Sequence, residues 1–166
     1  MRPLRATEFA LAFGVLGSLL AVGVPSFLRA LSASKLSEPL LGLDRIAAGA
    51  LSHAARHEGE VRFPPSSPLT PAQVPRGVRV VDGAEDWQHL TWLSLGYAMK
   101  EPHAFSFQFE RRGGPAEGSG PEGFVARAHG DLDGDGNLST FELQGEAAPG
   151  APAKLLPGLY VEREVE

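Results

Sequence analysis

An apolar run from Phe9 to Leu28 constrains this chain most, because its twenty residues include only Ser18 and Ser26 as polar side chains. Such a run is long enough to cross a bilayer core of roughly 30 Å. A cytosolic protein has no need of it. Arg2 and Arg5 precede the run, so the positive-inside rule places the N-terminus in the cytoplasm and the remainder across the membrane. Charge divides in a similar place. Residues 1–57 carry six basic and three acidic side chains, whereas residues 58–166 carry nine basic and seventeen acidic, so +3 and -8 sum to the chain's -5. There is no basic footprint for nucleic acid, and no such partner is expected. The absence of Cys excludes disulfides, thiolate metal sites and Cys nucleophiles. An exported domain must then be held by packing or by a hard metal ion.

Two simple readings of the run are a membrane anchor and a secretory signal peptide, the latter with Ala30-Leu31-Ser32 as a small-residue cleavage site. Neither explains Glu8 at the mouth of the run or Pro25 near its far end. An ionisable residue at such a position is costly and invites a functional explanation. The stretch Thr7-Glu8-Phe9-Ala10-Leu11 through Val24-Pro25-Ser26-Phe27-Leu28-Arg29, followed by Ser34-Lys35-Leu36-Ser37-Glu38, resembles the N-terminal region of type IV pilins and type II secretion pseudopilins. In that family a glutamate is followed by an apolar helix with a proline seventeen residues on, the separation of Glu8 and Pro25. The resemblance covers about the first 55 residues. It implies a single-pass precursor in a bacterial inner membrane that joins copies of itself or related subunits in a helical filament, as a pilus or pseudopilus in the periplasm or at the cell surface.

The residues suit that implication. A carboxylate among apolar helices needs a neutralising cation, and the family is thought to use the N-terminal amine of a neighbouring subunit, so Glu8 would set axial register. Pro25 lacks an N–H and clashes with the preceding turn, which kinks or locally melts the helix. Gly14, Gly17 and Gly23 permit close helix approach. Aligning Glu8 also implies cleavage by a prepilin peptidase between Pro3 and Leu4, with methylation of the new amine at Leu4. The family normally has Gly where Pro3 stands, and proline beside a scissile bond disfavours the cut. A retained leader would leave the amine of Met1 three residues further out.

Beyond the run, Leu36, Leu40, Leu43, Ala47, Ala50 and Ala54 recur at helical spacing, predicting an amphipathic helix to about Arg56. Pro39 should kink it, with Ser37 and Glu38 able to cap a restarted turn. Phe63 to Gly77 reads as a proline-rich connector, a semi-rigid loop on the domain surface. Trp92 to Met99, His103 to Glu110, Gly123 to His129, Leu138 to Leu143 and Gly158 to Glu164 read as strands of an antiparallel sheet. Arg111 to Gly120 and Gly145 to Pro152 read as hairpin loops. The expected architecture is α+β, a long N-terminal helix packed on a small antiparallel sheet. Its parts are a leader and membrane or assembly helix (1–29), an amphipathic second half (30–57), a Pro-rich connecting loop (58–91) and a sheet head (92–166).

The most specific motif is Asp131-Leu132-Asp133-Gly134-Asp135-Gly136-Asn137-Leu138-Ser139-Thr140-Phe141-Glu142. It fits a twelve-residue calcium loop, with side-chain oxygens from Asp131, Asp133 and Asp135, the Gly136 turn, the Asn137 carbonyl, Ser139 at the ninth place and a bidentate Glu142 at the twelfth. Three aspartates so close repel one another unless a cation sits among them. The flanks read as strands, so the alternative is an acidic, Gly-rich turn, and a Ca²⁺ ion here would be a staple rather than a sensor. His53 and His57 lie one helical turn apart but lack a third ligand at a recognisable spacing, and read as exposed helix-face residues. Trp87 and Trp92 read as core or subunit-contact residues. No nucleophile context or phosphate loop appears. A structural filament subunit, not an enzyme, is therefore expected. The alternative from another class is a secreted or membrane-anchored calcium-dependent binding module.

Overall fold

A computed structural model describes residues 21, 36–57, 61–113 and 121–163. The chain divides into two compact units, Met1–Ser37 and Glu38–Glu166. Pro3, Leu4, Glu8 and Pro25 lie outside the described residues, as does the apolar run apart from Ala21. Among the described residues no helix is long and apolar enough to cross a membrane.

The second unit is α+β. It opens with helix α1 (38–56) and continues through a 3-10 turn at Ala84–Trp87 and a short helix α2 (Leu90–Leu95). Strands β1 (Phe105–Arg112), β2 (Glu122–Gly130) and β3 (Ser139–Ala147) follow, with β4 (Lys154–Leu155) and β5 (Tyr160–Glu162). The strands β1, β2 and β3 form an antiparallel meander, and both short strands pair antiparallel with the far side of β3.

Period-two alternation divides the sheet's faces. One row reads Phe107, Ala128, Phe141 and the next Phe109, Ala126, Leu143. The phenylalanines and alanines of these rows are buried. Phe109 stacks on Phe124 with ring centroids 5.3 Å apart. The opposite face carries the row Gln108, Arg127, Glu142, Tyr160.

On α1, Leu43, Ile46, Ala47, Ala50 and Ala54 are buried at intervals of three and four residues, the spacing of one helix face. Leu40, expected in this stripe, is 38% exposed, and Pro39 is buried in its place. Helical structure runs through Pro39 to residue 56. Glu38 does not cap a restarted turn. Its carboxylate instead accepts the N–H groups of Ala104 (2.7 Å) and Phe105 (3.2 Å) and pairs with Arg79. Small residues let the backbone come close. A Cβ at Gly42 would sit 2.4 Å from the Phe107 ring, and one at Gly49 would sit 2.3 Å from the Leu95 carbonyl oxygen.

The proline-rich segment seals the outer edge of β1. Thr70 exchanges two backbone hydrogen bonds with Phe107, the Ser67 N–H donates to the Phe109 carbonyl, and the Ser66 and Ser67 hydroxyls accept the N–H groups of Arg111 and Phe109. Hydroxyls substitute here for carbonyl acceptors along a chain whose prolines cannot donate. The helix α2 holds the segment in place, since Thr91 Oγ1 donates to the Pro65 carbonyl (2.6 Å) and Trp92 Nε1 to Thr70 Oγ1 (2.9 Å).

Three sequence expectations need correction. Trp92 lies in α2, not in a strand, because the His89 ring accepts the Thr91 N–H and Gly96 takes a left-handed C-terminal conformation. The β-branched and aromatic content of Thr91 and Trp92 suggested a strand, yet both are buried while Leu90 and Leu93 are exposed, which is a helical alternation. Gly145 is not in a loop. It pairs with Phe124 and with Leu155 inside β3, where a Cβ would meet the Phe124 ring at 2.4 Å. The last strand spans only Tyr160–Glu162, and Lys154–Leu155 adds a strand that the alternation of a two-residue segment is too short to reveal.

Candidate cation site

The loop 131–138 joins β2 to β3, whose end residues Gly130 and Ser139 are paired. Asp131 follows directly on β2 and is 1% exposed. Its Oδ1 accepts the Gly134 N–H (2.8 Å), its Oδ2 accepts the Gly136 N–H (3.1 Å), and its carbonyl accepts the Gly77 N–H (2.8 Å). Gly134 (φ 82°) and Gly136 (φ 93°) occupy the left-handed region that side chains disfavour. Asp133 Oδ1 accepts the Asp135 N–H (3.1 Å), and Asp135 takes the Asn137 backbone N–H (2.7 Å) and side-chain amide (2.6 Å). The Asn137 backbone N–H, then its amide, holds the Asp135 carboxyl below the usual carboxylate range.

Each aspartate thus folds the loop back on itself, as short polar side chains do in turns. The result is that Asp131, Asp133 and Asp135 each present an oxygen within 4.8 Å of the others, Asp131 buried and the other two exposed. Two cations are near. Arg76 Nε lies 3.8 Å from Asp131 Oδ2, and the charge of Arg163 favours the ionised form of Asp135. Asn137 is exposed, and Ser139 is buried as the first residue of β3.

Glu142 is not in this carboxylate group. It lies on β3 opposite Arg127 of β2, and that guanidinium pairs with both Glu142 and Glu110 of β1. The cause is backbone geometry. Three helical residues advance about 4.5 Å, but three strand residues advance roughly 10 Å, so a strand carries the twelfth residue away from the ion position that a helix would bring it to. The three aspartate oxygens are of the kind a hard cation takes, and Glu142, paired with Arg127, is not grouped with them.

The Glu110–Arg127–Glu142 bridge was not foreseen from sequence. Strand alternation puts all three residues on the polar face, but which residues meet depends on a register set by the lengths of the intervening loops. Nearby, His129 accepts or donates a hydrogen bond with Thr140 Oγ1 (3.0 Å), and burial, then the Arg127 charge, lowers its proton affinity.

The remaining candidates have structural roles. Trp87 and Trp92 are buried and pack with Tyr97, whose phenol burial pushes upward in pKa. His53 Nδ1 meets the Arg62 carbonyl at 2.9 Å, and the His53 ring stacks on His57 at 4.0 Å. The buried His103 ring lies between the Phe105 carbonyl (2.8 Å) and the Asp82 carboxylate (2.9 Å).

Comparison of the chain with protein-family models, with curated proteins and with solved structures gave no match.

Proposed function

We propose that this chain is a structural subunit of a type IV pilus or type II secretion pseudopilus-like filament, held in the inner membrane by its N-terminal segment before assembly. The observation that carries the reading is the apolar run bearing Glu8 and Pro25 seventeen residues apart. The second unit supports it, since α1 buries an apolar stripe and meets β1 through Gly42 and Glu38, a helix-on-sheet arrangement compatible with a pilin-like head. Copies of the subunit are its partners, through pairing of Glu8 with a neighbouring amine. In the head, Asp131, Asp133 and Asp135 hold Ca²⁺ with the Asn137 carbonyl and water, and the ion staples the turn between β2 and β3. The chain does no chemistry in this reading.

Mass spectrometry of the native N-terminus, with assembly of Glu8→Ala, tests it. A start at Leu4 or Met1 and loss of filaments in the variant are expected. A start near Ala33, or normal assembly of Glu8→Ala, would overturn the reading in favour of a secreted or anchored binding module.

A further inference from the structure

The two edges of the sheet differ in kind. The β1 edge is sealed by Ser66, Ser67 and Thr70. On the other side, β4 and β5 pair with β3, and among the described residues no strand or bridge pairs with their outer edges. All five of their residues are exposed. Register places Val161 on the face of Phe141, and Leu155 on that of Gly145 and Phe124, yet Val161 is 38% and Leu155 39% exposed. The core-side face is thus left uncovered at this margin. An open edge with apolar side chains is a template for another strand.

We propose that the occupant is β5 of a second copy, paired antiparallel about a two-fold axis through Val161. The sequence is self-complementary in that register. Val161 meets its own counterpart on the apolar side, and each Tyr160 lies opposite Glu162 of the other copy on the polar side. No like charges are opposed. Tyr160 and Glu162 already match chemically within one chain, where the phenol donates to Glu162 Oε2 over 3.3 Å, and the neighbouring strand offers the same pair. A two-fold contact uses the same patch on both copies. A three-residue strand makes a modest contact, so it acts between copies concentrated in one membrane or assembly. The contact does not require the filament reading.

The chain contains no Cys, so one introduced thiol reports on one place. Directly opposed residues have Cα atoms about 4.5–5.5 Å apart, within disulfide range. Val161→Cys in the full chain, oxidised in its membrane with copper phenanthroline, is expected to give a dimer band at least ten times stronger than Val78→Cys, a control at a more exposed valine. Adding Tyr160→Lys together with Glu162→Lys opposes two ammonium groups across the contact while facing Glu142 and Thr140 within the chain, and should reduce that band by tenfold or more. A Val161→Cys band no stronger than the control would overturn the proposal. So would a band that the paired lysine substitutions leave unchanged.

Discussion

Single positions in this head are set by how close two backbones come. Gly42 leaves no room for a methyl group, since a Cβ would be 2.4 Å from Phe107 Cε1 and 3.0 Å from the Tyr97 hydroxyl. Gly42→Ala should therefore destabilise the head by about 1–3 kcal/mol, the usual cost of overpacking, seen as a lower denaturant midpoint at unchanged slope. An unchanged midpoint would place the helix wrongly. Asp131 and Asp133 look alike in the sequence and differ in the structure. Asp131 is buried and takes two backbone N–H groups, so Asp131→Asn should cost about 1–3 kcal/mol even in chelator, because the amide cannot accept both. Exposed Asp133→Asn should be nearly neutral in chelator but should abolish stabilisation by millimolar Ca²⁺, while Glu142→Gln leaves the Ca²⁺ shift in melting temperature intact. A Ca²⁺ shift lost in Glu142→Gln would restore that residue as a ligand.

Among elements, the strands were more legible than the helices and the charges between them. Phe105, Phe107 and Phe109 alternate with Ser106 and Gln108, which identifies a strand with one apolar face. The helix α2 was missed because six residues are too few for a 3.6 period to outweigh the β-branched and aromatic content of Thr91 and Trp92. The bridge of Arg127 to Glu110 and Glu142 spans β1, β2 and β3 and predicts a pH response. Hydrogen bonds from Arg112 and then Arg127 hold the Glu110 carboxyl below the usual range. A carboxyl depressed in the folded state contributes stability above its unfolded value and loses it as pH falls through the folded one. The contribution is thus present above pH about 4.5 and disappears below it. Glu110→Gln should flatten the acid limb of the stability curve and leave its slope near neutrality unchanged, as measured by thermal melts across pH. The effect is small, since the Glu110 side chain is 37% exposed and water screens it.

At the scale of the whole molecule, the sequence separates an apolar, basic beginning from an acidic α+β remainder, because charge and hydropathy are additive along the chain. It could not reveal how one calcium-like motif divides between a turn and a strand. The twelve-residue spacing identifies ligand types, whereas the flanking secondary structure decides where Glu142 arrives. Nor could it show the sealing of β1, since Pro64, Pro65, Pro68 and Pro71 hide the role of the serines between them. That seal has a consequence for stoichiometry. A sheet with two open edges can add strands without limit, but this one can grow on one side alone. Two copies joined through β5 would present a proline-rich border at either end, so sheet growth stops at a pair. Closure at two would protect the head from the open-ended fibres to which exposed strands otherwise lead.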